Sequence, residues 1–414
     1  MATELDTLLA SAPFKKLLAA RLISNFGNGL APIALAFGVL GLPHANAQTL
    51  SLVMFTQMFP LVAFMLFGGV IADRYPKALM VGGSDLVLSA FVITNGVMFI
   101  TGTATVPSLV VIALFTGFLH ALWWPAFTAL PTEIVDEELL QSANSAIGIS
   151  SNVTYFLGTV TGGIIVAAIG SGWAIVVDGA SFLLAGILVL QLRSFGTARK
   201  QTEHSPTMVQ DLRAGWVEFK SRSWVVAVVL GYSVMAMLME SVFTVVGPTH
   251  AKLHLGGPKP WSLILASMTV GMLTAVVVTL KVRPKRPILV GILAQCALGL
   301  WWLALGFTHY IPLLMITGLC AGFAMDFFMV LWQTALQTQI PRESLSRVSS
   351  YDAFGSLGLA PLGIIISGPL VIHFGTTTVL RSFAVIFFLV LIAVVAVPSV
   401  RSLPNNEQAS RTTD

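Results

Sequence analysis

Residues 69–77 read Gly69-Val70-Ile71-Ala72-Asp73-Arg74-Tyr75-Pro76-Lys77. The stretch closes one long apolar run and opens the next. Three charges stand together in a chain that is otherwise nearly uncharged. Backbone and side chains of this polarity cannot rest in hydrocarbon, so a tight charged turn between two apolar runs must face water. Its two basic residues place it on the cytoplasmic side, because Lys and Arg gather in inner loops.

Working outward, the composition agrees. Of 414 residues, 56% are hydrophobic and 10% charged, against roughly 25% charged in soluble domains. Too few charges are present to cover a soluble surface, and an integral membrane protein is expected. The net charge of +4 is spread over membrane loops rather than one patch, so no nucleic-acid partner is implied. Cys296 and Cys320 both fall inside apolar runs, far from metal-ligand spacing. There is no cleavable leader pattern: Glu4 and Asp6 precede Lys15-Lys16, which leads directly into a span-length run.

A helix crossing ~30 Å of hydrocarbon needs about 20 apolar residues. Twelve segments meet this: 17–41, 49–72, 79–101, 106–130, 140–169, 173–192, 224–247, 261–282, 287–307, 311–337, 346–374 and 378–397. With both termini in the cytoplasm, all but three of the 22 Lys and Arg fall inside; the exceptions are Lys252, Lys259 and Arg381. The longest connection, residues 193–223, is polar and divides six spans from six. Within it Val209, Leu212, Trp216 and Phe219 recur at helical spacing, which predicts an amphipathic helix on the inner membrane surface. The expected layout is therefore a six-helix bundle (1–192), a cytoplasmic linker (193–223), a second six-helix bundle (224–400) and a cytoplasmic tail (401–414).

The halves echo each other. At an offset of 205, Pro107 matches Pro312, Gly117 matches Gly322, Gly158 matches Gly363, Gly163 matches Gly368, and Gly170 matches Gly375. At an offset of 209, Arg74 matches Arg283 and Lys77 matches Arg286. The fold expected is all-α, with twelve transmembrane helices in two six-helix pseudo-repeats around a central cavity. Parallel repeats of this kind place a binding site near the bilayer midplane.

This arrangement resembles the major facilitator superfamily, whose signature after the second helix reads roughly G-x-x-x-D-R-x-G-R-R/K. Gly69, Asp73, Arg74 and Lys77 match it; Pro76 stands for the glycine and Ala78 for the last base. Within the superfamily the chain is similar to drug:proton antiporters of the macrolide-efflux and enterobactin-exporter type. The residues that carry this are Arg21-Leu22-Ile23-Ser24 with Gly27, Trp124-Pro125-Ala126, Ala129-Leu130-Pro131, Ala143-Asn144-Ser145 and Asp178-Gly179-Ala180-Ser181-Phe182. The antiporter pattern in the fifth span ends G-P-x-x-G-G, and Gly158-Thr159-Val160-Thr161-Gly162-Gly163 lacks its proline. The arginine that such antiporters carry in the fourth span falls at Ala113. The resemblance implies a multi-pass protein of the bacterial plasma membrane. In it Gly69, Asp73, Arg74 and Lys77 would act as a conformational latch, and spans 1, 4, 7 and 10 would line the cavity.

Charge inside a membrane is costly, about 2.5–3.5 kcal/mol per residue on insertion scales, so each case is a functional candidate. Glu240 in the seventh span and Asp326 in the tenth are candidates for carrying a proton, as is His120 in the fourth. The plainer alternatives are a paired or capped carboxylate and a hydrogen-bonded core histidine. Asp178 reads as a structural contact of the sixth span. Arg21 either snorkels to the inner surface or faces the cavity. Candidate cavity residues further include Asn25, Asn28, Gln57 and Gln333 for hydrogen bonds. The aromatic and thioether candidates are Trp123, Trp124, Phe127, Tyr232, Met235, Met239, Phe328 and Trp332. Such soft surfaces repack around varied lipophiles, although helix packing alone also explains them.

No phosphate loop, metal cluster or nucleophile elbow is visible, so neither enzymatic activity nor a cofactor is expected. The reading is a monomeric secondary transporter that exports lipophilic small molecules in exchange for protons. The alternative is movement of a specific metabolite or siderophore, in either direction. A membrane sensor or a lipid-modifying enzyme is the remote one.

Overall fold

In the computed structural model the described residues are 2–193, 216–282 and 284–403, apart from some side chains within them. Among them the secondary structure is helical, without strands. The principal elements are α1 (Ala2–Ala10), α2 (Ala12–Gly41), α3 (Ala47–Arg74), α4 (Lys77–Ile100), α5 (Val106–Ala129), α6 (Leu140–Ile169), α7 (Ser171–Leu190), α8 (Ser223–Ser241), α9 (Pro258–Thr279), α10 (Pro287–Ala294), α11 (Cys296–Phe307), α12 (Ile311–Gln339), α13 (Arg342–Leu357) and α14 (Ala360–Ala396). Among the described residues, 11 helical segments are long and apolar enough to cross a membrane.

Local chemistry sets the ends. Asn46 accepts from the backbone N–H groups of Gln48 and Thr49 at 2.9 and 3.1 Å, which caps α3. Thr105 and Ser108 form the reciprocal capping box of α5. At Pro76, Leu79 and Met80 return hydrogen bonds to the proline carbonyl, which starts α4 directly after the charged turn. One element is absent from the span-length pattern, the short helix α1, whose Leu8 packs into the core with Phe14, Leu17 and Leu130.

The seventh span differs from expectation at its far end. Sequence places its limit at Gly247. The helical segment instead runs Ser223–Leu255, through π turns at Val242–Val246 and Ala251–Leu255. Pro248 has no N–H to donate, and re-spaced turns keep the ladder going where water cannot satisfy it. The last apolar segment, Tyr351–Ala396, has 46 residues. At 1.5 Å per residue it is roughly twice as long as the hydrocarbon is thick, and its backbone leaves the helix at Gly375.

The chain forms two compact units. Unit 1 comprises Met1–Gln201 with Ala251–Leu263; unit 2 comprises Thr202–His250 with Ile264–Asp414. In unit 1, a Cβ on Gly117 would overlap the Gln57 carbonyl oxygen, and one on Gly158 would overlap that of Phe26. In unit 2, Gly322 stands in the same relation to the Met268 carbonyl and Gly363 to that of Met237. Glycine at these crossings lets backbones touch, which is how membrane helices gain packing energy without a hydrophobic drive.

Two of the three cations assigned to the outer side lie on helix carboxyl ends. The Lys252 ammonium donates to the Leu40 carbonyl, within unit 1. Arg381 donates to the Gly306 carbonyl at 2.9 and 2.6 Å and stacks over Phe307 at 3.9 Å, within unit 2. Both satisfy carbonyls that a helix end leaves open. In the linker, residues 216–221 are helical. Phe219 is buried beside Tyr351 while Trp216 is half-exposed; Val209 and Leu212 lie outside the described residues.

Candidate transport site

In unit 1 one face of α2 is polar. Arg21, Asn25 and Asn28 follow at helical spacing, and Asn28 Nδ2 donates to Asn25 Oδ1 at 3.4 Å. The Arg21 guanidinium lies over the Phe127 ring at 4.0 Å and the Trp123 ring at 5.2 Å. Trp123 and Phe127, one turn apart on α5, stack nearly parallel with centroids 4.7 Å apart. A desolvated cation on such faces gains about 2 kcal/mol. Asp85 on α4 is buried at 2% exposure and within electrostatic reach of Arg21. Arg21 Nε, Asp85 Oδ1 and Trp123 Nε1 are all buried, and the Trp123 indole lies within hydrogen-bond reach of the Asp85 carboxylate.

Trp124 parts company with its neighbour. It is 61% exposed where Trp123 is 7%, because successive residues on a helix turn by about 100°. The two therefore do not share one lining. His120 donates from Nδ1 to the Thr116 carbonyl at 2.8 Å, and its ring meets Phe182 edge-on at 6.4 Å. Gln57, half-buried on α3, lines a cavity of about 60 Å³ inside unit 1.

Of the expected latch, the side chains of Gly69, Asp73 and Arg74 lie outside the described residues. Lys77 is described, and its backbone N–H at the start of α4 is bonded by Glu133 from the neighbouring turn Pro131–Ile134. A carboxylate on a helix amino end is favourable. Burial nonetheless pushes Glu133 above the ordinary carboxylate range, with the Lys77 charge pulling it partly back.

Unit 2 holds an aromatic ladder. Tyr232 on α8 stacks on Phe328 at 5.8 Å, Phe328 continues to Trp332 at 6.2 Å, and Trp224 meets Trp332 edge-on at 5.5 Å. Trp332 Nε1 donates to Asp352 Oδ2 at 3.0 Å, and Ser356 donates to the other oxygen at 3.3 Å. Met235 and Met239 are buried at 5% and 7% exposure, within the packing of α8 rather than on an open surface. On α12, Asp326, Met329 and Gln333 share a different face from Phe328 and Trp332. Asp326 is half-buried, whereas Met329 and Gln333 are exposed and joined by a 4.0 Å contact. Glu240 is half-buried just before the first π turn, and its own carbonyl accepts from Thr244 at 2.6 Å. Tyr232 lies within electrostatic reach of Glu240, Asp326 and Asp352.

Two carboxylates were overlooked in the sequence, Asp85 and Asp352. The signal that selects Glu240 selects Asp85, an acid inside an apolar run; Asp352 stands at the polar edge of the last apolar segment, where that signal is weaker.

A model of the Major Facilitator Superfamily matches residues 17–351. The chain belongs to the Major Facilitator Superfamily. Its members are transporters, so this membrane protein is a transporter and not an enzyme. It is 23% identical over 408 residues to the multidrug efflux pump Tap of Mycolicibacterium fortuitum, covering 94% of this chain and 97% of Tap. It is also 23% identical over 187 residues to the uncharacterized MFS-type transporter YkuC of Bacillus subtilis (strain 168), covering 45% of this chain and 43% of that one. Among solved structures, the nucleoside transporter NupG superposes with a TM-score of 0.72 at 14% identity, covering 93% of this chain and 98% of NupG. A bacterial homologue of the iron transporter ferroportin gives 0.70 at 14% identity, covering 93% of this chain and 99% of that one. At such identities the likeness is one of fold.

Proposed function

We propose that this Major Facilitator Superfamily member exports lipophilic, drug-like small molecules from the cytoplasm by alternating access, coupled to proton entry. The observation that carries the reading is the near-full-length relation to a multidrug efflux pump. Aromatic clusters on α5 and α12 and acids inside the apolar spans are compatible chemistry.

In the same reading, Gly375 separates an eleventh from a twelfth crossing, giving two six-helix repeats, 1–192 and 224–400, joined by an amphipathic linker. The recurring glycine–carbonyl crossings support this division. Both termini are cytoplasmic, the membrane is the bacterial inner membrane, and the working form is a monomer. Gly69, Asp73, Arg74 and Lys77 latch the cytoplasmic side. Glu240 or Asp326 carries the proton.

Expression in a host stripped of its own pumps should raise tolerance to lipophilic dyes and antibiotics. Inside-out vesicles with an acidic lumen should accumulate the dye, since protons then leave the lumen as the solute enters. Glu240→Gln and Asp326→Asn should each be tested. Full proton-driven uptake in both variants overturns the coupling assignment, and absence of both tolerance and dye uptake in the unmodified protein overturns export.

A further inference from the structure

The cavity inside unit 1 is walled by α2, α3, α4, α5 and α7, and four polar side chains face it: Gln57, Asn95, Thr116 and Asp178. Asn95 and Asp178 are 8% and 3% exposed. Asn95 Oδ1 and Asp178 Oδ1 have no hydrogen-bond partner. The Thr116 hydroxyl donates its proton to the Ala113 carbonyl at 3.0 Å, so its lone pairs are left to accept. Gly27 keeps room beside the carboxylate, since a Cβ there would strike Asp178 Oδ1 and Ser181.

These groups present oxygen. A buried carboxylate needs a positive charge nearby or a proton of its own. None of the lining residues is basic. The nearest titratable neighbour on α5, His120, directs its Nδ1 proton to the Thr116 carbonyl instead. The volume, about 60 Å³, holds roughly two waters, or one small ion with a water. One carboxylate balances one positive charge, and amide, hydroxyl and carboxylate oxygens are hard ligands. A divalent ion would leave an uncompensated charge in a medium where that is costly.

We propose that the cavity of unit 1 is a binding site for one monovalent cation, Na⁺, held by Asp178 and Asn95 with Gln57 and Thr116 completing the oxygen shell. The inference does not rest on the export reading, because binding is measured at equilibrium without transport.

The test uses the purified full-length protein in lipid nanodiscs. Radioactive ²²Na⁺ binding and thermal unfolding are followed in NaCl, with choline chloride holding ionic strength constant. Saturable ²²Na⁺ binding and a saturable rise in Tm with Na⁺ are expected. Asp178→Asn should abolish both, and Asn95→Ala should weaken binding at least ~10-fold. Unmodified protein that binds no Na⁺ above the choline background overturns the proposal. So does a Tm that follows pH and ignores Na⁺, which would make Asp178 a proton site. Full ²²Na⁺ binding by folded Asp178→Asn would place the ion elsewhere and overturn it equally. Should Asp178→Asn not fold, the unmodified protein and Asn95→Ala decide.

Discussion

Gly170 and Gly375 hold the same unusual backbone: φ 94°, ψ 162° at the first and φ 77°, ψ 156° at the second. They are the residues paired by the offset of 205. At the first, the chain passes from α6 to α7 without a loop; at the second, it turns within the long final apolar segment. Only glycine visits this region freely, and other residues incur about 1–3 kcal/mol. Gly170→Ala and Gly375→Ala should therefore each lower unfolding stability in detergent by about that amount. Nothing stands near either position, so the loss is conformational and the two losses should be similar. An unchanged midpoint in both would contradict it.

The Trp332–Asp352 bond joins α12 to α13 inside unit 2. Trp332→Phe keeps the stacking on Phe328 but removes the donor, leaving Asp352 with Ser356 alone. A loss of about 1–3 kcal/mol is expected from the stranded acceptor. In a double-mutant cycle with Asp352→Asn, the two effects should be strongly non-additive. Additive losses would show that the bond carries no energy of its own.

Arg21 and Asp85 lie within electrostatic reach of each other without an ion-pair contact, and the guanidinium rests on aromatic faces. Arg21→Lys should not preserve stability, because a compact, strongly hydrated ammonium replaces a planar group suited to stacking. Arg21→Met should cost more than Phe127→Leu, since it also removes the cation within reach of the buried Asp85 carboxyl group. Adding Asp85→Asn to Arg21→Met should recover much of that difference. Thermal unfolding of the four variants measures this, and no recovery in the double variant would mean the two charges are uncoupled.

Glu133 gives a pH dependence at the turn Pro131–Ile134. Its folded pKa lies above its ordinary value of 4.5, so folding favours the protonated form. The group supports stability below about pH 4.5 and loses that support as pH rises through the raised value. Glu133→Gln should remove this slope and leave the variant relatively more stable at neutral pH. The comparison is Tm against pH for both proteins; parallel curves would refute the assignment. Glu4 acts in the opposite sense. The Ser142 hydroxyl donates to its carboxylate at 2.8 Å and lowers its pKa, so its contribution is present above about pH 4.5 and fades in acid.

Much of the fold was legible in residue order. Hydropathy is a local property, so it placed most apolar helices to within a few residues. Capping residues such as Asn46 and Thr105 act within one turn, so their effect is local too. The exception was the end of the seventh span. There Pro248 signals a break in water, but the membrane setting favours re-spaced turns that continue to Leu255.

The site was far less legible. Arg21, Trp123 and Phe127 were each visible as candidates, but Asp85 was not among them, and Met235 and Met239 proved to be packing. Trp123 and Trp124 are adjacent in sequence and differ completely in exposure.

Sequence by itself determined that the chain lives in a membrane, where most of its helices run, and the offset that relates its halves. These follow from transfer free energy and charge, summed residue by residue. Tertiary structure alone decided which buried polar groups meet: Arg21 over Phe127, Trp332 on Asp352, and Asp178 with Asn95 at one small cavity. Those meetings depend on the rotation and crossing of each helix against its neighbours. An aspartate among apolar neighbours in sequence carries the same local signal whether it ends beside an arginine or at a small cavity.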